Sequence, residues 1–143
     1  MKLSRTVAYA VQATLHLAHA NSSEPVPCSR LATEGQMPER FLLQILRNLV
    51  AHGILTSTRG VDGGYSLDRD PDEISLLDVI EAIDGPLVPN LPLGEGLPTE
   101  SQLRLKEVIS DITEESRRQL ATIKLAHLLP EPATELVGEG VGH

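Results

Sequence analysis

Along residues 38–52 apolar side chains fall at Phe41, Leu42, Ile45, Leu46 and Leu49. Steps of one and three residues mark the buried face of an amphipathic helix. The opposite side carries Arg40, Leu43, Gln44 and Arg47, at i, i+3, i+4 and i+7, which form one exposed stripe. Pro38 suits the first helical position, where its missing N–H would be unpaired anyway, and this makes Met37 the nominal cap with Glu39 in the first turn. Just upstream, residues 29–34 read as a short helix with Ser29 as its N-cap and Gly35 ending it. Two helices joined by a turn of this length make a helix-turn-helix. Downstream, residues 54–59 and 65–67 flank a glycine-rich tip at 60–64, the pattern of a β-hairpin. The pattern predicts a mainly α fold with a small β-hairpin wing, a winged helix-turn-helix.

The flanks add three more helices. Residues 4–20 predict a helix with Ser4 as N-cap and Val7, Ala10, Val11, Leu15 and Ala18 on one face. Lys2 and Arg5 before an apolar run, with Ala18-His19-Ala20 after it, also fit the outline of a signal peptide. Gln12, Thr14 and His16 interrupt that run, so the helix is the expected reading. Residues 21–27 are a Ser- and Pro-containing loop, and 70–73 a charged turn. Residues 75–83 predict a short helix that opens on a capping-box pair, Ser75 and Asp78, turns Leu77, Ile80 and Ile83 inward and stops at Gly85-Pro86. Residues 86–98 hold four prolines and no periodicity, as a linker or ordered loop would. A long helix is expected over 99–129, where Leu105, Val108, Ile109, Ile112, Leu120 and Ile123 recur at helical spacing. Such a helix would span about 45 Å, longer than a small domain can bury on itself; it is either a core helix of the monomer or, the expected reading, a dimerisation element. The expected division is 1–86 as a DNA-binding domain, 87–98 as linker, 99–129 as dimerisation helix and 130–143 as a disordered tail.

Composition changes this picture in two places. The net charge of −8 runs against nucleic-acid binding, since phosphate contacts need Lys and Arg. The charge is uneven, however. Residues 1–70 hold seven basic and six acidic side chains, for +1, whereas 71–143 hold five and fourteen, for −9. Most of the acid lies outside the helix-turn-helix and hairpin. The single cysteine, Cys28, excludes an internal disulfide framework and fits a cytoplasmic protein. No run of eighteen apolar residues exists to span a membrane.

The core LATEGQMPERFLLQILRNLVAHGILTSTRGVDGGYSL resembles the Rrf2 family of bacterial winged-helix transcriptional regulators. The resemblance extends to LSRTVAYAVQATLHLA before it and ISLLDVIEAIDGP after it, and is most specific at Arg59-Gly60 with Gly63-Gly64-Tyr65. It implies a homodimer on a roughly palindromic operator in double-stranded DNA, probing a major groove with the recognition helix and a minor groove with the wing. On that reading the DNA-binding positions are Ser29, Pro38, Glu39, Arg40, Leu43, Gln44, Arg47, Arg59, Gly60 and Gly63. Arg40 and Gln44 suit guanine and adenine edges, Leu43 a thymine methyl, and Arg59 a minor groove or its phosphates. At the wing tip Asp62 stands where the family usually has glycine.

The best-known members of the family sense through an iron–sulfur cluster held by three cysteines between the helix after the wing and the long helix. Residues 86–103 contain no cysteine, and Pro92, Pro98 and Arg104 occupy the corresponding places. Cys28 with His16 and His19 offers too few converging ligands for a metal, and Cys28 has no partners for nucleophilic chemistry. The expectation is a transcriptional regulator, a repressor rather than an enzyme, with no cofactor and with a small-molecule or protein effector as a further partner. The alternative is a winged-helix protein-interaction module that has lost DNA binding, as the acidic charge and Asp62 suggest.

Overall fold

The computed structural model describes residues 2–20 and 24–130; the expected disordered tail, apart from Pro130, lies outside the described residues. Five helices and one hairpin follow in the order α1 (Arg5–Ala20), α2 (Cys28–Gly35), α3 (Glu39–Ala51), β1 (Leu55–Thr58), β2 (Gly64–Leu67), α4 (Leu76–Asp84) and α5 (Thr99–Thr122). A 3₁₀ turn over Leu125–Leu128 completes the described chain. Among the described residues no helix is long and apolar enough to cross a membrane.

The start of α1 is capped as its sequence dictates, the Val7 amide donating to Ser4 Oγ at 3.1 Å. Its buried face is wider than the one read from periodicity: Val7, Ala10, Ala13, Thr14, Leu17 and Ala18 are buried, while Val11 and Leu15 are only half-buried. The width follows from position, because α1 packs against α2, α3 and α4 at once. Thr14 lies within this apolar face and donates its hydroxyl to the Val11 carbonyl at 2.9 Å, so no polar atom is stranded.

The ends of α2 differ from expectation. Pro27, not Ser29, is the N-cap, and no side chain caps the helix, which leaves Ser29 exposed in the first turn. The left-handed residue that closes α2 is Gln36 (φ 54°, ψ 49°), not Gly35. Gly35 serves a different need. A Cβ there would sit 2.6 Å from Met37 Cε and 3.1 Å from Gln12 Nε2, which donates to the Gly35 carbonyl at 2.7 Å. The glycine makes room for α1 to approach, and the turn's positive φ falls one residue later.

Helix α3 begins at Glu39 with Pro38 as its N-cap, and Met37 is buried in the core rather than capping anything. Leu42, Ile45, Leu46 and Leu49 form the buried face as the pattern predicts. Phe41 does not join them: it is 65% exposed. It lies a quarter-turn round from Leu42, at the rim of the buried arc.

The hairpin pairs Leu55 with Leu67 and Thr58 with Gly64, and a third segment joins it. Val26 bridges Tyr65 through two backbone hydrogen bonds of 2.8 and 2.9 Å, so the loop before α2 anchors the wing. Gly64 (φ 153°) permits this contact, since a Cβ there would lie 2.4 Å from the Val26 carbonyl. Gly64→Ala should therefore destabilise the fold by roughly 1 kcal/mol or more. Urea denaturation checks this, with faster amide exchange at Val26 and Tyr65 as the local signature.

Helix α4 carries the full capping box, with the Ser75 amide donating to Asp78 Oδ2 at 2.9 Å and the Asp78 amide to Ser75 Oγ at 3.0 Å. Helix α5 departs from the sequence pattern at its far end, stopping at Thr122 instead of continuing to residue 129. Ile123 is extended, its carbonyl accepts from the Leu76 amide at 2.8 Å, and the Leu125 amide donates to the Ile74 carbonyl at 2.9 Å. These bonds fold the chain back so that Leu125 is fully buried in the same core as α1 and α3. A continuous helix would have carried Leu125 away from that core.

Candidate nucleic-acid interface

Arg40, Gln44 and Arg47 are exposed on α3, with Leu43 half-buried at the edge of the same face. About two helix turns fix their spacing, and the buried row behind them fixes their direction. Gln44 Nε2 donates to Asn48 Oδ1 at 3.4 Å, a long bond that a base edge could replace. Pro38 and Glu39 stand exposed at the start of α3, while Ser29 is exposed on α2. Arg59, Gly60, Val61 and Asp62 are all exposed at the wing. The tip is held tightly: Gly60 has φ 112°, the Gly63 amide donates to the Gly60 carbonyl at 3.0 Å, and a Cβ on Gly63 would fall 2.2 Å from the Thr58 carbonyl oxygen. Glycine is thus required at the tip.

Charge pairing divides the arginines into two groups, and Arg5 and Arg69 are among those without an ion pair among the described residues. Arg30, Arg104, Arg117 and Arg118 each pair with a glutamate. Among the described residues, Arg40, Arg47 and Arg59 form no ion pair. An unpaired guanidinium keeps all its donors available to a phosphate or a base.

The remaining titratable groups of the helix-turn-helix are engaged elsewhere. His16 Nε2 lies 2.7 Å from Glu34 Oε1, and Arg30 Nε donates to Glu34 Oε2 at 2.8 Å, a clasp that joins α1 to α2. Arg30 and then His16 hold the Glu34 carboxyl below its usual value. Burial, then the Glu39 carboxylate, push the Cys28 thiol up, so it is a protonated thiol at neutral pH.

On the far side, Leu120 is the only residue of the 24 in α5 that is buried, against Val7, Leu77 and Ile80. Arg117 reaches Glu81 on α4, whose Oε2 also accepts from the Leu87 amide at 2.7 Å, and this ties α5 to α4 and to the segment that follows it. Val108 and Ile112 are 53% and 57% exposed, Leu105 36%, and Ile109 is half-buried. Leu120 and Ile123 do not extend this stripe: one belongs to the chain's own core and the other lies beyond the helix.

A family model described as "Rrf2: Iron-dependent Transcriptional regulator" matches residues 3–131. The chain belongs to the Rrf2 family. Rrf2 relatives include the Mycobacterium tuberculosis HTH-type transcriptional regulator Rv1287, 42% identical over 96 residues, which cover 67% of this chain and 60% of that protein. The match to CymR of Bacillus subtilis is 28% identical over 78% of this chain and 83% of CymR. The solved structure of that CymR superposes with a TM-score of 0.72 at 26% identity, covering 90% of this chain and 95% of the other. An IscR structure from T. potens superposes with a TM-score of 0.66 at 26% identity, covering 90% and 85%. The Rrf2 winged helix and its long C-terminal helix are both present here, and the family consists of transcriptional regulators, not enzymes.

The segment between α4 and α5 does not fit a thiolate-held iron–sulfur cluster. Cluster iron is held by thiolates, occasionally with imidazole. Between α4 and the first turns of α5, residues 86–103 offer only the carboxylates of Glu95 and Glu100. The one thiol sits on α2, protonated and directed at the Glu39 carbonyl at 3.8 Å.

Sequence reasoning missed two residues beside the interface, Arg5 and Phe41. Arg5 is exposed and forms no ion pair among the described residues. No sequence signal links the start of α1 to α3.

Proposed function

We propose that this protein is a sequence-specific DNA-binding repressor that works in the cytoplasm as a homodimer without an iron–sulfur cluster. The observation that carries the reading is the set of unpaired arginines, Arg40 and Arg47 on α3 and Arg59 on the wing, in a chain whose other arginines on α2 and α5 pair with glutamates. Residues 1–86 would form the DNA-binding domain and 87–98 the linker. Each α3 would enter a major groove, with Arg40 and Gln44 at base edges, Leu43 against a thymine methyl and Arg47 at a phosphate. Ser29, Pro38 and Glu39 would border the same groove, and Gly60 and Gly63 would shape the wing that carries Arg59 to the minor groove. Helix α5 would pair with its counterpart through Leu105, Val108, Ile109 and Ile112. A protein or small-molecule effector would act where α4, the linker and α5 meet.

Selection of bound duplexes from a random pool tests the reading. A roughly palindromic consensus, bound more weakly as salt rises, is the expected result. Recovery of no consensus would favour a protein-interaction module, the reading that Asp62 at the exposed wing tip favours. Protein purified without oxygen should be colourless, and its DNA affinity should ignore iron chelators. Stoichiometric iron and sulfide in such preparations would overturn the cluster-free reading.

A further inference from the structure

An apolar groove of 280 Å³ runs between the first turns of α1 and the flank of α3, lined among others by Arg5, Tyr9, Phe41, Gln44 and Asn48. No carboxylate is among its lining residues. Gln44 belongs both to this groove and to the stripe that faces outward from α3, so the two surfaces are continuous. Phe41 and Asn48 are seven residues apart and share one flank of the helix. When a recognition helix seats in a major groove, its outward face meets bases, and its flanks meet the sugar–phosphate walls. The groove's chemistry matches such a wall: an unpaired guanidinium at one end for a phosphate, and a ring 65% exposed for the apolar face of a deoxyribose. The sequence pattern assigned Phe41 to the core; in the fold it is the one large apolar side chain of α3 left in water.

We infer that the start of α1 and the flank of α3 together grip the DNA strand bordering the major groove, Arg5 on a phosphate and Phe41 against a sugar. This rests on the DNA-binding reading and adds to it a contact that orients α3 without reading sequence. Charge complementarity and continuity with the reading stripe select duplex DNA as the occupant.

The test titrates full-length Arg5→Gln, Phe41→Ala, Phe41→Leu and Arg40→Ala on the selected operator and on random duplex at several salt concentrations. Arg5→Gln should shallow the slope of log affinity against log salt by about one per protomer, or about two for the dimer, on both duplexes. Phe41→Ala should weaken binding about five- to tenfold with the slope unchanged, and Phe41→Leu should recover most of that loss. Thermal unfolding at the wild-type midpoint would confirm that Phe41→Ala is folded. If Arg40→Ala loses discrimination while the Arg5 and Phe41 variants titrate as wild type, the inference fails and the DNA-binding reading stands. Wild-type protein that binds no duplex overturns both. Saturable binding of benzoate, lost in Arg5→Gln, alongside unchanged DNA titrations would assign the groove to a small ligand and overturn the proposal.

Discussion

Arg40→Ala should relax preference at one base pair per half-site while leaving non-specific binding largely intact; Arg59→Ala should do the reverse. Arg40 stands in the first turn of α3, exposed and unpaired, on the side opposite Leu42 and Leu46. There its planar fork can bond one guanine through O6 and N7, worth about 1–3 kcal/mol of discrimination, or roughly a fivefold to 150-fold change at that position. Arg59 stands at the base of a glycine-shaped tip whose backbone leaves little freedom. A cation held there senses the width and potential of a minor groove more than base identity. Its loss should weaken binding to many sequences, flatten any A·T preference and shallow the salt slope by about one per protomer. Titrations on the operator, its single-base variants and random DNA distinguish the two. Equal losses on every duplex would mean that neither arginine reads bases.

The second large effect concerns assembly. Val108→Glu with Ile112→Glu should convert the dimer to a monomer and lower operator affinity by at least about a hundredfold, because two half-sites would no longer be bound by one particle. The argument is one of burial. A helix of 24 residues with one buried side chain has no hydrophobic reason to be straight and continuous in an isolated protomer. Leu105, Val108, Ile109 and Ile112 share one face, and a second copy of α5 would remove that stripe from water. Both substituted positions are more than half exposed, so the protomer should still fold, and circular dichroism of the variant checks this. Sedimentation of wild-type protein as a monomer at micromolar concentration would sink the idea.

What the sequence determined was local. The buried row of α3 and the stripe opposite follow from a 3.6-residue period that any helix imposes on its own side chains. The Ser75–Asp78 capping box needs partners three residues apart, and the wing needs glycines within one tight turn. Each of these is settled within a few residues, so the helix-turn-helix and its wing were legible in the sequence alone. What the tertiary structure decided depended on segments far apart in the chain. Residue 35 is held to glycine by Gln12 of α1 and by Met37, which occupy the space beside it, and the left-handed turn falls at Gln36. Phe41 is left outside because packing of α1, α2 and α4 covers the arc from Leu42 to Leu49 and no further. Helix α5 ends at Thr122, despite apolar residues continuing in helical register, because hydrogen bonds to Ile74 and Leu76 draw Leu125 back into the core. The same long-range packing brings Arg5 beside α3. Periodicity reports which face of an element is apolar; only close packing decides how much of that face is covered and what lies beside it.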